Sequence, residues 1–435
     1  MIWLFYNVLF TIGFTLLLPR FIWRMWKRGG YRRNFMQRLA CYDAETKRTL
    51  EQGGPRIWVH AVSVGEMYIA LRFMKSVRRA HPDVSFALTT ITSTGHAIAR
   101  DRIESPDVLL YFPVDIPPVM ARVLDQIQPR MLVMVDTELW PNVIRMSRRR
   151  AIPVVMINGR VSLRSFRRYK LVRMFTRRLL PELNIMCMQS EGDRDRLLTL
   201  GAPPEKVEVV GSAKYEVIER DVAGEQAARA ALRCAGVRED ASILLGGSTW
   251  PGEEEVLLDI YRELRTKIPS LFLVLVPRHV ERSREVVEAI EQRNMTVVRR
   301  SALSDGASAD QPVADVLLVD TTGELKDFYS AATVIFVGKS LTAHGGQNVI
   351  EPAIYEKPIV VGPNMENFPA IMEDFLAADA LKQVQNAAEL RAAITSLLDD
   401  PDARQALGAR AIRLVEEKAG AMDITLQRVL PMLKG

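Results

Sequence analysis

The 435-residue chain has few of the side chains that build cross-links and metal sites. Its three cysteines, Cys41, Cys187 and Cys234, lie far apart and in apolar or helical contexts. Its five histidines show no HxxxH or HxH spacing. These absences argue against a disulfide framework and against a metal held by protein ligands, and they fit a reducing compartment.

Two nucleotide-binding signatures are also missing. No GxGxxG follows the first strand of either predicted domain, and the chain has no Walker A sequence. The first absence argues against a dinucleotide-dependent enzyme, so any nucleotide site must be built from other residues.

Acidic residues are absent from two long basic segments, although the net charge of the whole chain is only +6. Residues 20–42 contain seven Lys/Arg and residues 145–178 contain twelve. The rest of the chain is therefore net acidic. Positive charge confined in this way points to an anionic partner on one face. Because the basic segments match no recognised nucleic-acid module, we do not expect that partner to be nucleic acid.

The N-terminus, Met1–Leu18, carries no charge and is mostly large and apolar. Its length is near the minimum for a helix that crosses a bilayer, and the small-residue cleavage site of a signal peptide is missing. We predict an uncleaved membrane anchor whose basic C-terminal side stays cytoplasmic. The alternative is a helix that lies in the membrane interface, which Trp23 and Trp26 among basic residues would suit. Both place the body on the cytosolic face of the inner membrane.

From Arg56 onward, apolar strand-like runs alternate with helical segments, first to about residue 210 and again from about residue 240. This alternation predicts α/β domains with parallel sheets covered by helices on both faces. We predict an anchor with a basic segment over 1–33, a Rossmann-like domain over 34–215 and a second over 216–435. Two doubly wound domains that face each other across a cleft are the arrangement of GT-B glycosyltransferases. The polar segment Ser301–Pro312 is predicted to be a mobile surface loop.

The stretch Thr333–Pro363 is the most informative part of the second domain. A strand-like run is followed by a loop with Gly338, Gly345 and Gly346, a predicted helix over 348–357, and another strand. Such a loop lies at the carboxyl end of a parallel strand, where open sheets bind ligands, and the helix start would offer backbone N–H groups to a phosphate. Glu351 could accept two hydroxyls of a ribose. Alternatively, the glycines form only a turn and Glu351 favours the helix dipole.

Two more strand ends of the second domain carry candidate binding residues. Pro277-Arg278 follows one predicted strand, and Gly323-Glu324-Leu325 follows another and opens a helix. The guanidinium of Arg278 suits a phosphate or carboxylate. Because these ends share one edge of one sheet with residues 348–351, a nucleotide site is predicted there.

In the first domain, Glu66 opens the first helix after the first strand, within the sequence HAVSVGE. Ser63 and Glu66 have the spacing of a capping box, which is a complete structural explanation. The functional alternative is a carboxylate at the sheet edge that acts as a general base on an acceptor hydroxyl.

Two further candidates are Glu138, after the apolar strand Met131–Val135, and Lys214, where the chain leaves the first domain. Carboxylates at that end of a strand often point into a site, although Asp136 or Thr137 could simply cap the next helix. A lysine there could be solvated, or it could stabilise negative charge on a leaving phosphate or a substrate carboxylate.

The chain resembles the family of 3-deoxy-D-manno-octulosonic acid (Kdo) transferases over nearly its whole length. The matching segments are HAVSVGE, DTELWPN, INGRVSLRSFRRY, QSEGDRDRLLTLG, VGSAKYE, GGSTWPGEEE, VPRH, TTGELKDFYSAA and VGKSLTAHGGQNVIEPA. Lys339 in VGKS departs from the glycine expected in many members.

The resemblance implies a membrane-associated GT-B enzyme that transfers Kdo from CMP-Kdo to a lipid A precursor, with no cofactor and no metal. It also implies that Glu66 is the proton acceptor and that Glu138 and Lys214 stabilise the transition state. It assigns CMP binding to Pro277, Arg278, Gly323, Glu324, Leu325, Asn348, Val349, Ile350 and Glu351. Anionic lipids of the inner membrane are the expected partners of the basic segments. The rivals are a GT-B enzyme that uses another nucleotide sugar, such as a UDP-sugar, and a non-enzymatic protein that binds polyanions at the membrane.

Overall fold

The computed structural model describes residues 2–28, 35–216, 220–303 and 314–434, without the side chains of 17–28 and 434. The chain forms two compact units, Met1–Val217 with Ala419–Gly435, and Ile218–Lys418. The sequence prediction assigned residues 419–435 to the second domain, and the structure corrects this. The carboxylate of Glu216 accepts hydrogen bonds from the amides of Gly420 (3.0 Å) and Met422 (2.9 Å), which ties the C-terminal segment to the first unit.

The first unit is built on a parallel sheet with the strand order β3-β2-β1-β4-β5-β6-β7 in the part of the chain described. Its strands are β1 Arg56–His60, β2 Phe86–Thr90, β3 Val108–Tyr111, β4 Pro129–Val135, β5 Val154–Gly159, β6 Ile185–Met188 and β7 Val207–Val209. Its helices are α1 Ile2–Arg28, α2 Ala44–Gln52, α3 Val64–Ala80, α4 Ser93–Arg100, α5 Pro117–Ile127, α6 Pro141–Arg149, α7 Leu163–Leu171, α8 Arg173–Leu179, α9 Glu191–Thr199 and, from the C-terminal segment, α18 Ala421–Val429.

The second unit has a parallel sheet with the order β10-β11-β9-β8-β12-β13-β14 across its described residues. Its strands are β8 Ser242–Thr249, β9 Leu271–Pro277, β10 Val297–Arg299, β11 Val316–Leu318, β12 Val334–Val337, β13 Ile359–Val361 and β14 Lys382–Gln383. Its helices are α10 Val222–Cys234, α11 Glu253–Arg265, α12 Ser283–Glu291, α13 Leu325–Phe328, α14 Ile350–Ala353, α15 Pro369–Ala377, α16 Ala387–Asp399 and α17 Pro401–Lys418.

Each sheet is buried on both faces, as expected for parallel strands joined by crossover helices. Every residue of β1, β2 and β5 is buried, and so is every residue of β9, β12 and β13. The strand order reverses between β1 and β4 in the first sheet and between β8 and β12 in the second. Loops at the carboxyl ends of such strand pairs diverge and leave room for a ligand. The predicted α/β fold with two Rossmann-like domains is therefore confirmed.

The predicted N-terminal membrane anchor differs from what the structure shows. Residues 2–28 form the helix α1, but in the described parts of the chain we find no helix whose length and apolar character suffice to cross a bilayer. The structure thus does not support the predicted membrane-crossing anchor. The predicted loop Ser301–Pro312 lies, beyond residue 303, outside the described residues.

Candidate active site

The predicted catalytic residues of the first unit lie around the carboxyl ends of β1 and β4, where its strand order reverses. Glu66 stands in the first turn of α3, directly after β1, and Glu138 follows β4. Lys214 lies in a 3-10 turn over Ala213–Glu216 and interacts electrostatically with Glu66. The structure therefore brings together the three residues that the sequence assigned to catalysis.

Glu66 serves the helix start and also belongs to the charged cluster. The Ser63 hydroxyl accepts a hydrogen bond from the Glu66 amide (3.3 Å), and the Glu66 carboxylate accepts one from the Val62 amide (2.7 Å). The capping interpretation is thus correct for the backbone. The second oxygen of the Glu66 carboxylate has no part in capping. The charge of this carboxylate acts on Asp136 and Glu138.

Two carboxylates beside Glu66 hold their protons unusually tightly. Burial, and then the charge of Glu66, raise the pKa of Asp136 to about 6 and that of Glu138 to about 7. Glu138 accepts a hydrogen bond from the indole N–H of Trp140 at 3.0 Å. Like charges gathered in a desolvated site push their pKa values apart, which is how one site can hold a base and an acid together.

Two cations complete this cluster. Burial, and then the charge of Arg160, lower the pKa of Lys214, while Asp136 and Glu66 act in the opposite direction. Arg160 follows β5, and its backbone exchanges hydrogen bonds with the Thr137 hydroxyl: the hydroxyl donates to the Arg160 carbonyl (2.6 Å) and accepts from its amide (3.1 Å). The cluster thus offers a carboxylate base beside two cations that can stabilise developing negative charge.

Asp136 and Arg160 were not among the predicted site residues. Asp136 adopts a left-handed backbone (φ 62°), which is uncommon outside glycine, and its carboxylate accepts a hydrogen bond from the Thr137 amide (2.7 Å). Strained residues of this kind cluster at functional sites. The signal was present in the sequence, since Asp136 directly follows a wholly apolar strand, as Glu138 nearly does.

In the second unit, Arg278 and the stretch Asn348–Glu351 converge on one sheet edge, as predicted. Arg278 is exposed directly after β9, and its charge acts on Glu351. Burial raises the pKa of Glu351, while the Asn348 amide, which donates to its carboxylate at 3.2 Å, and Arg278 oppose that shift. A guanidinium next to a carboxylate and an amide suits a phosphorylated nucleoside.

Other predicted binding residues have structural roles. Glu324 is paired with Arg300 (3.1 Å) and accepts a hydrogen bond from the Thr321 hydroxyl (2.6 Å). Val349 and Ile350 are completely buried, so their side chains pack in the core. Pro277 ends β9, Gly323 has a left-handed backbone (φ 94°), and Leu325 begins α13. These residues shape the sheet edge around Arg278 and Glu351.

The loop after β12 differs from the prediction. The helix expected over 348–357 is only Ile350–Ala353, and the amides of Lys339, Ser340 and Leu341 are occupied by a carboxylate of the protein itself. That carboxylate belongs to Glu253, the first residue of α11, which is completely buried and also accepts from the Trp250 amide (2.9 Å). The predicted phosphate-binding N–H groups belong to the helix start further along the chain, where the Ile350 amide donates to the Asn348 side-chain oxygen (3.1 Å).

Gly338 is required for the approach of this loop to β8. A Cβ at this position would lie 2.5 Å from the Ser248 carbonyl oxygen and 2.6 Å from the Thr249 Cα.

Across the described residues no group of three or more His, Cys, Asp or Glu side chains could hold a metal ion.

Comparison with known proteins relates the chain to one family of transferases. Residues 33–217 match the family 3-Deoxy-D-manno-octulosonic-acid transferase (kdotransferase). The 3-deoxy-D-manno-octulosonic acid transferase of Haemophilus influenzae is 32% identical over 379 residues, which cover 87% of this chain and 86% of that one. The enzyme of the same name from Bordetella pertussis is 30% identical over 424 residues, with 95% and 96% covered.

Among solved structures, UDP-GlcNAc 2-epimerase from Neisseria meningitidis is similar in fold, with a TM-score of 0.58, 13% identity, and 86% of this chain and all of that one covered. Two Rossmann-like units with candidate sites where the strand order reverses, together with this likeness, define the GT-B fold class. Within that class, the chain belongs to the 3-deoxy-D-manno-octulosonic acid transferase family and is a glycosyltransferase.

Proposed function

We propose that the protein transfers Kdo from CMP-Kdo to a hydroxyl of the lipid A precursor, in the biosynthesis of the lipopolysaccharide core. The observation that carries this proposal is the meeting of Glu66, Glu138 and Lys214 at the carboxyl ends of β1 and β4, in a chain of this family.

Glu66 is the proposed general base. It takes the proton of the acceptor's sugar 6′-hydroxyl, whose oxygen attacks the anomeric carbon of Kdo, and the bond to CMP breaks as its phosphate leaves with the electron pair. A single displacement of this kind inverts the anomeric centre. Lys214, with its cationic neighbour Arg160, stabilises negative charge in the transition state. Glu138, whose pKa of about 7 allows either protonation state, is also proposed to stabilise the transition state.

The donor site is proposed at Arg278 and Asn348–Glu351. Arg278 would pair with the phosphate of CMP, and Glu351 would accept hydrogen bonds from the ribose hydroxyls. Neither the donor nor the transfer needs a cofactor or metal in this proposal.

The body is proposed to sit on the cytosolic face of the inner membrane and to bind anionic lipid phosphates through α7 and α8. Six arginines and Lys170 are exposed there, at 164, 167, 168, 173, 177 and 178. They are interspersed with the exposed apolar side chains of Leu163, Leu171 and Met174. A mixture of cations and apolar side chains is typical of surfaces that bind the headgroup layer.

The direct test is mass spectrometry of lipid A precursor after incubation with the protein and CMP-Kdo. A mass increase of one or more Kdo residues is expected. No increase with CMP-Kdo, while a known Kdo transferase gives one in a parallel reaction, would contradict the proposal.

Two binding experiments separate the rivals. CMP should raise the melting temperature of the wild-type protein and UDP should not, whereas the reverse would favour a UDP-sugar enzyme. If neither nucleotide bound, the proposed donor site would be contradicted. Charge reversal of arginines in 164–178 should weaken binding of the lipid acceptor but leave CMP binding unchanged.

A further inference from the structure

An apolar cavity of about 430 Å³ lies between α1 and the carboxyl edge of the first sheet. We call it the α1 cavity. One helical face of α1 lines it with Phe10, Gly13 and Phe14, and the opposite wall includes Ile91 after β2, Phe112 after β3 and Trp140 after β4. An engineered apolar cavity of about 150 Å³ already binds benzene, so this space is large enough for a longer hydrocarbon.

Specific polar contacts attach α1 to the body beside this cavity. The Tyr6 hydroxyl donates to Asp115 (3.0 Å), and the side-chain NH₂ of Asn142 donates to the side-chain oxygen of Asn7 (2.8 Å). The guanidinium of Arg145 lies over the ring of Trp3 at 4.1 Å. The cavity is therefore part of a defined interface between α1 and the body.

The few polar groups of the cavity do not favour a polar ligand. Besides Tyr6, Asp115 accepts hydrogen bonds from the amides of Asn142 and Val143, each at 2.9 Å. Arg38 donates to the Ile91 carbonyl at 2.7 Å and lies over the ring of Tyr111. Since these groups are engaged by the protein, the remaining wall offers mainly hydrocarbon and aromatic contact.

Trp140 links the α1 cavity to the candidate active site. The ring of Trp140 lines the cavity, while its N–H donates to the Glu138 carboxylate at 3.0 Å. The opposite face of α1 exposes apolar side chains, among them Leu4 (69% exposed) and Leu16 (74% exposed). Apolar surface outside and an apolar cavity inside are what a ligand with a hydrocarbon chain requires.

We propose that the α1 cavity binds one acyl chain of the lipid acceptor and thereby places the acceptor's sugar beside Glu138 and Glu66. This inference rests on the proposed function and adds to it a binding site for the hydrocarbon part of the substrate. Binding energy from this remote part of the substrate would position the reacting hydroxyl.

Gly13 provides the test. Gly13 lines the cavity, and a Cβ built there meets no atom within 4 Å, so we chose Gly13→Phe to place a ring in part of the cavity. Gly13→Ala is the matched control because it also replaces a glycine that is unfavourable in a helix, but its small side chain leaves most of the cavity free. The measurement is KM in detergent for the acylated precursor and for its fully deacylated, water-soluble form, with CMP-Kdo as donor.

Gly13→Phe is expected to raise KM for the acylated acceptor about tenfold or more, since displacing two methylenes loses about 0.8 kcal/mol each. KM for the deacylated acceptor, the affinity for CMP and all values of Gly13→Ala should stay near those of the wild type. An unchanged KM for the acylated acceptor, or an equal rise with both acceptors, would overturn the proposal.

A binding probe separates this proposal from the proposed function. A lauroyl-glucosamine probe with a diazirine at the end of its chain should cross-link, without any transfer, to peptides that contain Phe14, Ile91 or Phe112. Gly13→Phe should abolish that cross-link. Cross-linking without Kdo transfer by the wild type would refute the proposed function and leave the acyl-chain site standing. Transfer with cross-links only elsewhere would refute the acyl-chain site alone.

Discussion

At the scale of single residues, the candidate active site shows how three neighbouring acids can differ in behaviour. Glu66 is hydrogen-bonded to the Val62 amide, while Asp136 and Glu138 are held with raised pKa values by burial and by the charge of Glu66. The raised pKa values let Asp136 and Glu138 carry protons near neutral pH, so that they can donate hydrogen bonds beside the proposed base.

A Glu138→Gln substitution should change the pH dependence of stability. Because the pKa of Glu138 is raised from 4.5 to about 7, its protonated form stabilises the fold below pH 4.5, and this contribution is lost as pH rises through about 7. The variant should therefore be more stable than the wild type at pH 8, by an order of 2 kcal/mol, and close to it at pH 4.5. Urea unfolding at both pH values measures this, and a constant difference would contradict the assignment.

Lys339 permits a second prediction at this scale. It has a left-handed backbone (φ 58°), and its ammonium lies over the Trp250 ring at 4.8 Å. Lys339→Ala keeps the backbone conformation without the ring contact, and Lys339→Gly removes the steric cost of about 1 kcal/mol or more. The glycine variant should thus be the more stable of the two in urea unfolding. The reverse order, as at an ordinary helical position, would show that the backbone conformation is not strained.

At the scale of elements, the sequence predicted what local patterns encode and missed what distant segments build. Apolar runs identified the strands other than β14, whose two residues are polar, and the S-x-x-E spacing located the start of α3 and Glu66 with it. The role of Glu253 was missed, because its partners Lys339 and Leu341 are 86 and 88 residues away along the chain. Arg160 was assigned to a basic segment for the same reason, since only the fold brings it to Thr137 and Lys214.

Glu253→Gln tests the junction between the loops after β8 and β12. The carboxylate accepts four amide hydrogen bonds. In glutamine an NH₂ group replaces one of the two carboxylate oxygens, and it cannot accept the bonds that this oxygen accepted. We expect a loss of about 2–3 kcal/mol in the free energy of unfolding and faster hydrogen exchange at the amides of 339–341. Glu255→Gln, in the same helical turn, keeps an oxygen for the Gly252 amide and should have little effect. Equal effects of both changes would contradict a special role for Glu253.

At the scale of the whole molecule, the chain returns to its first unit after completing the second. In the first unit, α18 buries Met422 and Val429 in the same apolar cluster as residues of β1 and α3. This connection has no local sequence signal, since it depends on contacts such as Arg428 with Glu208, 220 residues apart and 2.7 Å in distance. Residues 419–435, predicted to belong to the second domain, therefore lie in the first unit.

Fragments of the chain should reflect this arrangement. A fragment of residues 218–418 contains the whole second unit and should unfold cooperatively, whereas residues 1–217 lack α18 and should aggregate or unfold at lower urea concentration. Removal of two large buried side chains costs several kcal/mol, a sizeable part of the stability of a domain. A fragment 1–217 as stable as the first unit in the full chain would contradict the role of α18.

The most direct test of the central claim is the turnover number of Glu66→Gln with CMP-Kdo and lipid A precursor. Glutamine can still accept the Val62 amide, so the melting temperature should be unchanged, but it cannot take a proton, and kcat should fall about 10²-fold or more. Ser63→Ala is the matched control, because it removes the helix cap and keeps the base. Near-normal turnover of Glu66→Gln would reduce Glu66 to a helix cap and contradict the proposed mechanism.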